Sequence, residues 1–242
     1  MKKIVLLIIC LIILTGCSRG KEYNDEINVL NWSSYIPSEV ISDFEDEYNI
    51  KVNYSTYSSN EELLAKVSSV KEGMYDLVFP SDYMVEIMKD KELIDRIDKS
   101  RILNYSNIEK NFLGLSYDKK NEYSIPFLAA SVVITVNRDL INNQINSYND
   151  LLHSEYKNNI VLVDDTRIVI GSALMALGYD INTTNEKQLE DARDWLLKLK
   201  TNIKAFDSDS PKSFLITKEA GIDTSVQLFH LSDSRFVIFV AK

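Results

Sequence analysis

The stretch INVLNWSSYIPSEVISDFEDEYNIKVNYSTY, residues 27–57, sets the fold class of this protein. Residues 27–31 alternate apolar and polar side chains, as a half-buried strand does, and residues 51–57 are rich in the residue types that strands favour. Between the two strands, Pro37 and Ser38 open a helical spacing of apolar residues. The order strand, helix, strand predicts parallel strands that are joined by a helix on the face of a sheet.

The same alternation of strands and helices continues along the chain. Ser59 and Glu62 form a capping box at the start of a second helix, and residues 76–79 (DLVF) predict a short buried strand. The elements predicted after residue 129 are strands at 130–136 and 159–163, a helix at 168–177 that ends at Gly178, and a helix that a second capping box opens at Thr183 and Glu186. The sequence therefore predicts an α/β protein of two lobes, with the boundary near residues 127–131.

The composition fits a folded protein and argues against one class of partner. Of 242 residues, 45% are hydrophobic, which is enough for a packed core and excludes a wholly disordered chain. The 36 acidic residues exceed the 27 basic ones, so the formal net charge is −9. Nucleic acid is therefore not expected as a partner, because phosphate contacts need clustered Lys and Arg. A cationic ligand is compatible with this charge, although acidity can also serve solubility alone.

The first residues of the chain predict export. Lys2 and Lys3 precede an apolar run at residues 4–14, which as a helix spans only ~17 Å against the ~30 Å core of a bilayer. This length predicts a secretory signal peptide and not a transmembrane helix.

A motif at the end of this run predicts a membrane anchor. The sequence LTGC, residues 14–17, resembles the bacterial lipoprotein signal, in which Cys17 is lipidated and becomes the new N-terminus. The alternative is an ordinary signal peptide with a chance cysteine. We expect a lipoprotein signal peptide at residues 1–16, a polar tether at 17–26, and a folded part that lies outside the cytoplasm, anchored to the membrane by lipid. Because Cys10 leaves with the signal peptide, no cysteine remains for a disulfide or a metal site.

Three predicted strands end in polar and aromatic segments. These are NWSSY (31–35), PSDY (80–83) and DDTR (164–167). Because ligands of open parallel sheets bind beyond the carboxyl ends of strands, the three segments are expected to meet in one crevice. Aromatic faces attract an ammonium group by ~0.5–2 kcal/mol each, and a carboxylate neutralises a buried ammonium that is otherwise costly to desolvate. The residues therefore predict a site for an organic cation.

Single side chains in these segments also have structural explanations. Trp32 can be an ordinary core residue, Ser81 a helix N-cap and Asp165 a turn residue. Their joint position after three strands favours a binding site over three independent structural roles.

Motifs of catalysis and metal binding are missing from the sequence. Its two histidines, His153 and His230, are far apart, and no Gly-rich phosphate loop or nucleophile elbow is present. The segment DSD, residues 207–209, lacks the rest of a calcium loop and is interpreted as a solvated turn. We therefore expect no enzymatic activity, no bound metal and no other cofactor.

Four motifs stand in the same order as in a known family. They are NWSSYIP (31–37), YDLVFPS (75–81), DDTR (164–167) and FDSDSP (206–211). In these motifs the chain resembles the spermidine/putrescine-binding proteins of bacteria. The resemblance implies a type II periplasmic-binding-protein fold, in which two α/β lobes close over a ligand. It also implies a solute receptor that captures polyamines outside the cell and delivers them to the permease of an ABC transporter.

The resemblance implies roles for individual residues. Carried over by position, the site consists of two aromatic walls (Trp32 and Tyr35), a polar contact (Ser33), two contacts after the third strand (Ser81 and Tyr83) and a carboxylate partner for an amine (Asp165). The chain departs from the family at Ile168, where an acid is common, and at Ala129-Ala130, where the family has a Trp-Gly pair. Because an isoleucine cannot neutralise an ammonium, we expect one amine contact to be lost.

The resemblance ends at about Ile222. We expect a first lobe at residues 27–130, a partial second lobe at 131–222 and a diverged tail at 223–242, so that the fold is incomplete at its C-terminus. The alternative to a polyamine receptor is then a truncated surface lipoprotein that no longer binds a ligand.

An incomplete lobe is expected to fold only marginally, because it exposes strand edges and apolar surface. The stretch RFVIFVA, residues 235–241, adds a segment of high β propensity and little charge. Circular dichroism melting of the soluble mature chain measures this property. We expect a broad or irreversible transition, and a cooperative, reversible one would contradict the expectation.

Overall fold

Two β-sheets, each with its own helices, make up the protein in a computed structural model that describes residues 22–33 and 35–228. The strands of the first sheet are β1 (Asp25–Trp32), β2 (Ile50–Tyr57) and β3 (Leu77–Val78), all parallel, in the order β2-β1-β3. The strands of the second sheet are β4 (Ala130–Val136), β5 (Ile160–Leu162), β6 (Ile203–Phe206) and β7 (Ile222–Leu228), in the order β4-β7-β5-β6. Only β4 runs antiparallel to its neighbour, β7.

The α-helices connect these strands. They are α1 (Ser38–Tyr48), α2 (Asn60–Ser69), α3 (Asp82–Asp90), α4 (Thr166–Ala176), α5 (Glu186–Leu199) and α6 (Pro211–Ile216). Short 3-10 helices lie at Lys99–Arg101, Tyr105–Asn107, Lys110–Phe112, Ser116–Asp118, Tyr148–Leu152 and Ser154–Tyr156. We call the first sheet with α1–α3 the first lobe, and the second sheet with α4–α6 the second lobe.

The core of the first lobe lies between its sheet and the helices α2 and α3. Leu30 of the central strand and Leu63 of α2 are both fully buried, and Met84 and Met88 of α3 complete the contact. Each such apolar side chain contributes roughly 1.5–3 kcal/mol when it is removed from water. The helical spacing predicted for α1 is confirmed, but α1 has no fully buried residue.

The core of the second lobe surrounds β5. All three residues of this strand are buried, as expected for a parallel strand that is covered on both faces. Leu174 of α4 and Leu199 of α5 pack against it from the helices, and Ile222 packs against it from β7. The predicted end of α4 is confirmed by Gly178, whose φ of +75° lies in the left-handed region that glycine adopts without strain.

The strand β7 lies inside the second sheet, between β4 and β5. It covers residues 222–228 and therefore includes part of the stretch expected to be a diverged tail. The remainder of that stretch, residues 229–242, lies outside the described residues, as do residues 1–21 with the expected signal peptide and Cys17. The limits of the lobes and of the tail stay predictions.

The second capping box is wrong in its position. Helix α5 begins at Glu186, and Asn185 caps it by accepting a hydrogen bond from Gln188 N. Thr183 lies two residues earlier, where its hydroxyl donates to Gln188 Oε1 and accepts from Asn185 N. Asparagine caps at least as well as threonine, so the later residue takes the cap position.

The first capping box forms in a shifted variant. Ser59 Oγ accepts from Glu62 N (3.2 Å), as predicted, but the Glu62 carboxylate reaches back to the N–H and hydroxyl of Ser58. Lys66, one turn later, approaches the same carboxylate at 2.7 Å. The Lys66 ammonium and the Ser58 N–H lower the pKa of Glu62 from 4.5 to about 2.

No helix within residues 22–33 and 35–228 combines the length and the apolar character that crossing a bilayer requires.

We expect the substitution E62Q to destabilise the protein by about 0.5 kcal/mol at pH 7, since its ion pair is partly exposed to solvent. Because the folded-state pKa lies below the ordinary 4.5, the stabilisation by Glu62 is complete above that pH and is lost as the pH falls toward 2. Urea unfolding at pH 7 and at pH 3 measures the difference between wild type and variant. The control E72Q changes an exposed loop carboxylate, and an E62Q effect that grows on acidification would contradict the prediction.

Candidate ligand-binding site

The carboxyl ends of β1 and β2 bring three aromatic rings together. Trp32 and Tyr57 are partners in the parallel register, and their ring centroids lie 4.6 Å apart. Tyr35, in the turn after β1, stacks on Trp32 at 6.1 Å with an interplanar angle of 28°. Tyr57 is only 2% exposed, and its hydroxyl donates to the carbonyl of Phe79. We call Trp32, Tyr35 and Tyr57 the aromatic cluster.

Backbone hydrogen bonds hold the turn that carries this cluster. Asn31 is fully buried at the end of β1, and its Oδ1 accepts from Trp32 N (2.7 Å). Ser33 is half-buried in the next position, and its N–H donates to Tyr57 O (3.4 Å). The turn after β1 is thereby tied to the end of β2.

A buried amide links the two lobes. Asn60, the first residue of α2, donates through Nδ2 to Ser81 Oγ (3.0 Å) and to Asp165 Oδ2 (3.2 Å). Its Oδ1 accepts from Ser81 N (3.2 Å). Ser81 and Asn60 belong to the first lobe, whereas Asp165 directly precedes α4 of the second lobe. The segments after β3 and β5 therefore meet, as the strand-end rule predicts.

Asp165 is a carboxylate that is almost completely removed from water. It is 3% exposed, and its Oδ1 accepts from Ile168 N (2.9 Å) as the N-cap of α4. Asp165 therefore also has a structural role, as a helix cap and not as the turn residue that was the structural alternative. Among the residues that the structure describes, no Lys, Arg or His forms an ion pair with this carboxylate within 4.0 Å. Its two hydrogen-bond donors, Ile168 N–H and Asn60 Nδ2–H, are both neutral.

Tyr83 lies beside this carboxylate, and a cation of the protein covers its ring. The Arg167 guanidinium is 5.2 Å from the ring centroid of Tyr83, and Arg167 also donates to Asn182 Oδ1 (2.5 Å). Burial raises the pKa of the Tyr83 phenol, and the Asp165 carboxylate raises it further. Burial and then Asp165 raise the pKa of Tyr35 in the same way. Both phenols therefore stay neutral at physiological pH.

The structure brings the predicted site residues into one region between the lobes. Trp32 stacks on Tyr35, Ser33 is tied to Tyr57, and Asn60 joins Ser81 to Asp165. Tyr35 and Tyr83 are related to Asp165 by its electrostatic effect on their phenols. Ser81 occupies the N-cap position of α3, but its hydroxyl binds Asn60 and does not cap the helix. The roles of these residues toward a ligand stay predictions, and Cys17 lies outside the described residues.

Sequence reasoning did not single out Tyr57, Asn60 or Arg167. Tyr57 ends the second predicted strand, so the strand-end rule applied to that strand would have found it. Arg167 belongs to the DDTR segment, of which only Asp165 was predicted to contact a ligand. No local pattern points to the contact of Asn60 with Asp165, because it joins residues 105 positions apart.

One of the expected departures, Ile168, lies at a cavity in the second lobe. Ile168 and Trp195 line a small apolar cavity of about 10 Å³ beneath α4 and α5. Trp195 is 4% exposed, packs in the core of the second lobe, and donates through Nε1–H to Asn149 Oδ1 (2.8 Å). Ile168 is half-buried and contributes apolar surface to the wall of this cavity.

Grouped acids, thiols or imidazoles that could hold a metal ion are not found in the described ranges 22–33 and 35–228. Asp207 of the DSD segment accepts from Ser210 N (2.7 Å), and Ser208 Oγ accepts from Asp164 N (3.0 Å). This segment is a turn that is tied to the end of β5.

Two α/β lobes with an aromatic and polar site between them define a type II periplasmic-binding-protein fold, which the solved structural neighbours share. The chain belongs to the family of bacterial extracellular solute-binding proteins, whose model matches residues 39–234.

Within this family, the chain is similar in sequence to proteins that are named as spermidine/putrescine-binding. The chain is 43% identical over 189 residues to the spermidine/putrescine-binding periplasmic protein of Salmonella typhimurium. The alignment covers 78% of this chain and 54% of the relative. A similar protein of Haemophilus influenzae is 33% identical over 201 residues. The chain thus spans about half the length of the curated relatives it matches.

Solved structures agree with this grouping. A putative spermidine/putrescine ABC transporter protein of Listeria monocytogenes has a TM-score of 0.78 and 34% identity, with 83% of this chain and 62% of that chain covered. A lipoprotein of Treponema pallidum has a TM-score of 0.76 and 32% identity, with 85% and 70% covered.

The substitution Y57F tests the hydrogen bond that closes the aromatic cluster. We expect a loss of about 1 kcal/mol in the free energy of unfolding, because the buried Phe79 carbonyl loses its donor while the ring contact with Trp32 remains. Urea unfolding measures it. The control Y48F removes a hydroxyl from a residue that is 54% exposed, and it should leave the free energy of unfolding almost unchanged. Equal effects of the two variants would contradict the assigned hydrogen bond.

Proposed function

We propose that this protein is the solute receptor of a polyamine ABC transporter, which captures spermidine or putrescine outside the cell and delivers it to a membrane permease. The observation that carries the proposal is the buried Asp165 carboxylate, which accepts from Asn60 between the lobes and has no ion pair among the described residues. Its charge also acts on the phenol of Tyr35 in the aromatic cluster. A carboxylate in such a place is stabilised by a cation that arrives with its own hydrogen-bond donors.

An aliphatic ammonium fits the chemistry of this site. The two oxygens of Asp165 accept one hydrogen bond each from Ile168 and Asn60, which leaves lone pairs for an N–H donor of the ligand. The faces of Trp32 and Tyr35 are suited to the ammonium and to the methylene groups between the amines. In this proposal Ser33 and Ser81 accept further N–H donors, and Tyr83 forms the opposite wall.

The relatives support the choice of ligand. The Salmonella and Haemophilus proteins are named as spermidine/putrescine-binding, and the Listeria structure is titled as a spermidine/putrescine transporter protein. The family consists of solute receptors, which are not a class of enzymes. No residue is therefore assigned a catalytic role.

We further propose that the chain is held at the membrane by lipid on Cys17, after removal of residues 1–16. The relative from Treponema pallidum is titled a lipoprotein, which supports this anchor. The family itself is extracellular, in agreement with export.

The substitution D165N tests the proposed amine partner. We expect the affinity for spermidine and putrescine to fall about 10- to 100-fold in isothermal titration calorimetry, because a charged hydrogen bond becomes a neutral one. The helix α4 should remain intact, since asparagine is an equally good N-cap. The matched control D164N changes the adjacent exposed carboxylate and should bind like wild type.

Two results would contradict the proposal. If wild type is folded by circular dichroism but binds neither polyamine, the protein is a truncated lipoprotein that does not take this ligand. If D165N binds as tightly as wild type, a residue other than Asp165 is the partner of the amine.

A further inference from the structure

We propose that Asn60 is a positioning residue that sets the closure of the two lobes, because it donates to Asp165 across the cleft. The lobes then close through a neutral amide and a carboxylate, and an amine adds its charge to an Asp165 that Asn60 already holds in place. The effect on amine affinity rests on the proposed function, whereas the effect on closure does not.

The hydrogen bonds of Asn60 identify it as a link between the lobes. The residue is fully buried, and both polar atoms of its side chain are engaged. Ser81 binds it from within the first lobe and fixes the orientation of the amide. The remaining N–H points to Asp165 Oδ2, which is itself 3% exposed. Since water is excluded from both partners, opening of the lobes breaks a bond that solvent does not weaken.

The local structure does not require an asparagine at this position. Ser59 already caps α2, and its hydroxyl accepts from Glu62 N. Asparagine has a lower helix propensity than alanine or glutamate, so the helix alone favours other residues there. The side chain of Asn60 therefore serves the contacts with Ser81 and Asp165.

A second contact between the lobes is of a weaker kind. The Arg167 guanidinium lies over the Tyr83 ring, but Arg167 is exposed to solvent. Exposed cation–π contacts contribute less than charged hydrogen bonds that are shielded from water. We therefore assign the larger share in closure to the Asn60–Asp165 bond.

The substitution N60D reverses this contact with almost no change of shape. The new carboxylate keeps an acceptor for Ser81 N, but it stands about 3 Å from Asp165 Oδ2, where like charges repel. We expect the lobes of N60D to open at pH 7 without added amine. The double variant N60D/D165N restores one amide and one carboxylate with the donor on the other side, so it should close again.

Distances between two spin labels measure closure. The labels are placed on the full chain at the exposed positions Glu86 on α3 and Glu190 on α5, after Cys10 and Cys17 have been replaced by alanine. N60D should shift the distance distribution to an open population that is about 10- to 100-fold enriched over wild type, and the double variant should return it to wild type. A merely structural role of Asn60 predicts no rescue by D165N. The control N53A removes an amide whose partners, Glu26 and Asn28, both lie in the first lobe, and it should leave the distance unchanged.

The outcomes separate this inference from the proposed function. Two buried carboxylates at this distance can share one proton, so the inference is overturned by a wild-type distance in both folded N60D and N60A. A double variant that stays as open as N60D overturns it too. If N60D does not fold, N60A removes the donor without adding charge and keeps the Ser59 cap, and a wild-type distance for N60A overturns the inference equally. If N60D opens and N60D/D165N closes again although the wild-type protein does not bind spermidine, the result supports Asn60 as the link between the lobes and rejects polyamine as the ligand.

Discussion

A carboxylate that is removed from water has to be compensated by its surroundings, and this constraint organises the region between the two lobes. Asp165 is 3% exposed, and hydrogen bonds from the backbone of α4 and from Asn60 hold it. Desolvation of a charge costs several kcal/mol unless donors or a counterion offset it. The two segments that supply these donors, the first turn of α4 and the start of α2, therefore meet at this one side chain.

The helix α4 makes such a position tolerable. Its unpaired N–H groups and its dipole favour negative charge at the N-terminus, where Asp165 is the cap. The same residue therefore starts a helix of the second lobe and presents an anion to the first. Both donors are neutral, so they supply hydrogen bonds to Asp165 but no counterion.

The aromatic residues near Asp165 add apolar faces to the site and carry no charge of their own at neutral pH. Burial raises the pKa of Tyr57 as well as the pKa values of Tyr35 and Tyr83, so all three phenols are uncharged near pH 7. Their rings and that of Trp32 offer apolar faces and quadrupoles, which suit an alkylammonium ion better than a hydrated metal ion. One ring face is already covered by Arg167, so the protein holds a cation of its own at the edge of the site.

The sequence by itself determined the alternation of strands and helices and the segments at the strand ends, because hydrophobic periodicity and turn residues are local properties. It therefore predicted β1, the start of α2 and the positions of Trp32 and Asp165. It misplaced the cap of α5, since Thr183 and Asn185 are both good caps two residues apart and only the path of the chain selects one. Tertiary structure alone decided that Asn60 meets Asp165, because a hydrogen bond between residues 105 positions apart depends on how two lobes pack and leaves no trace in local pattern.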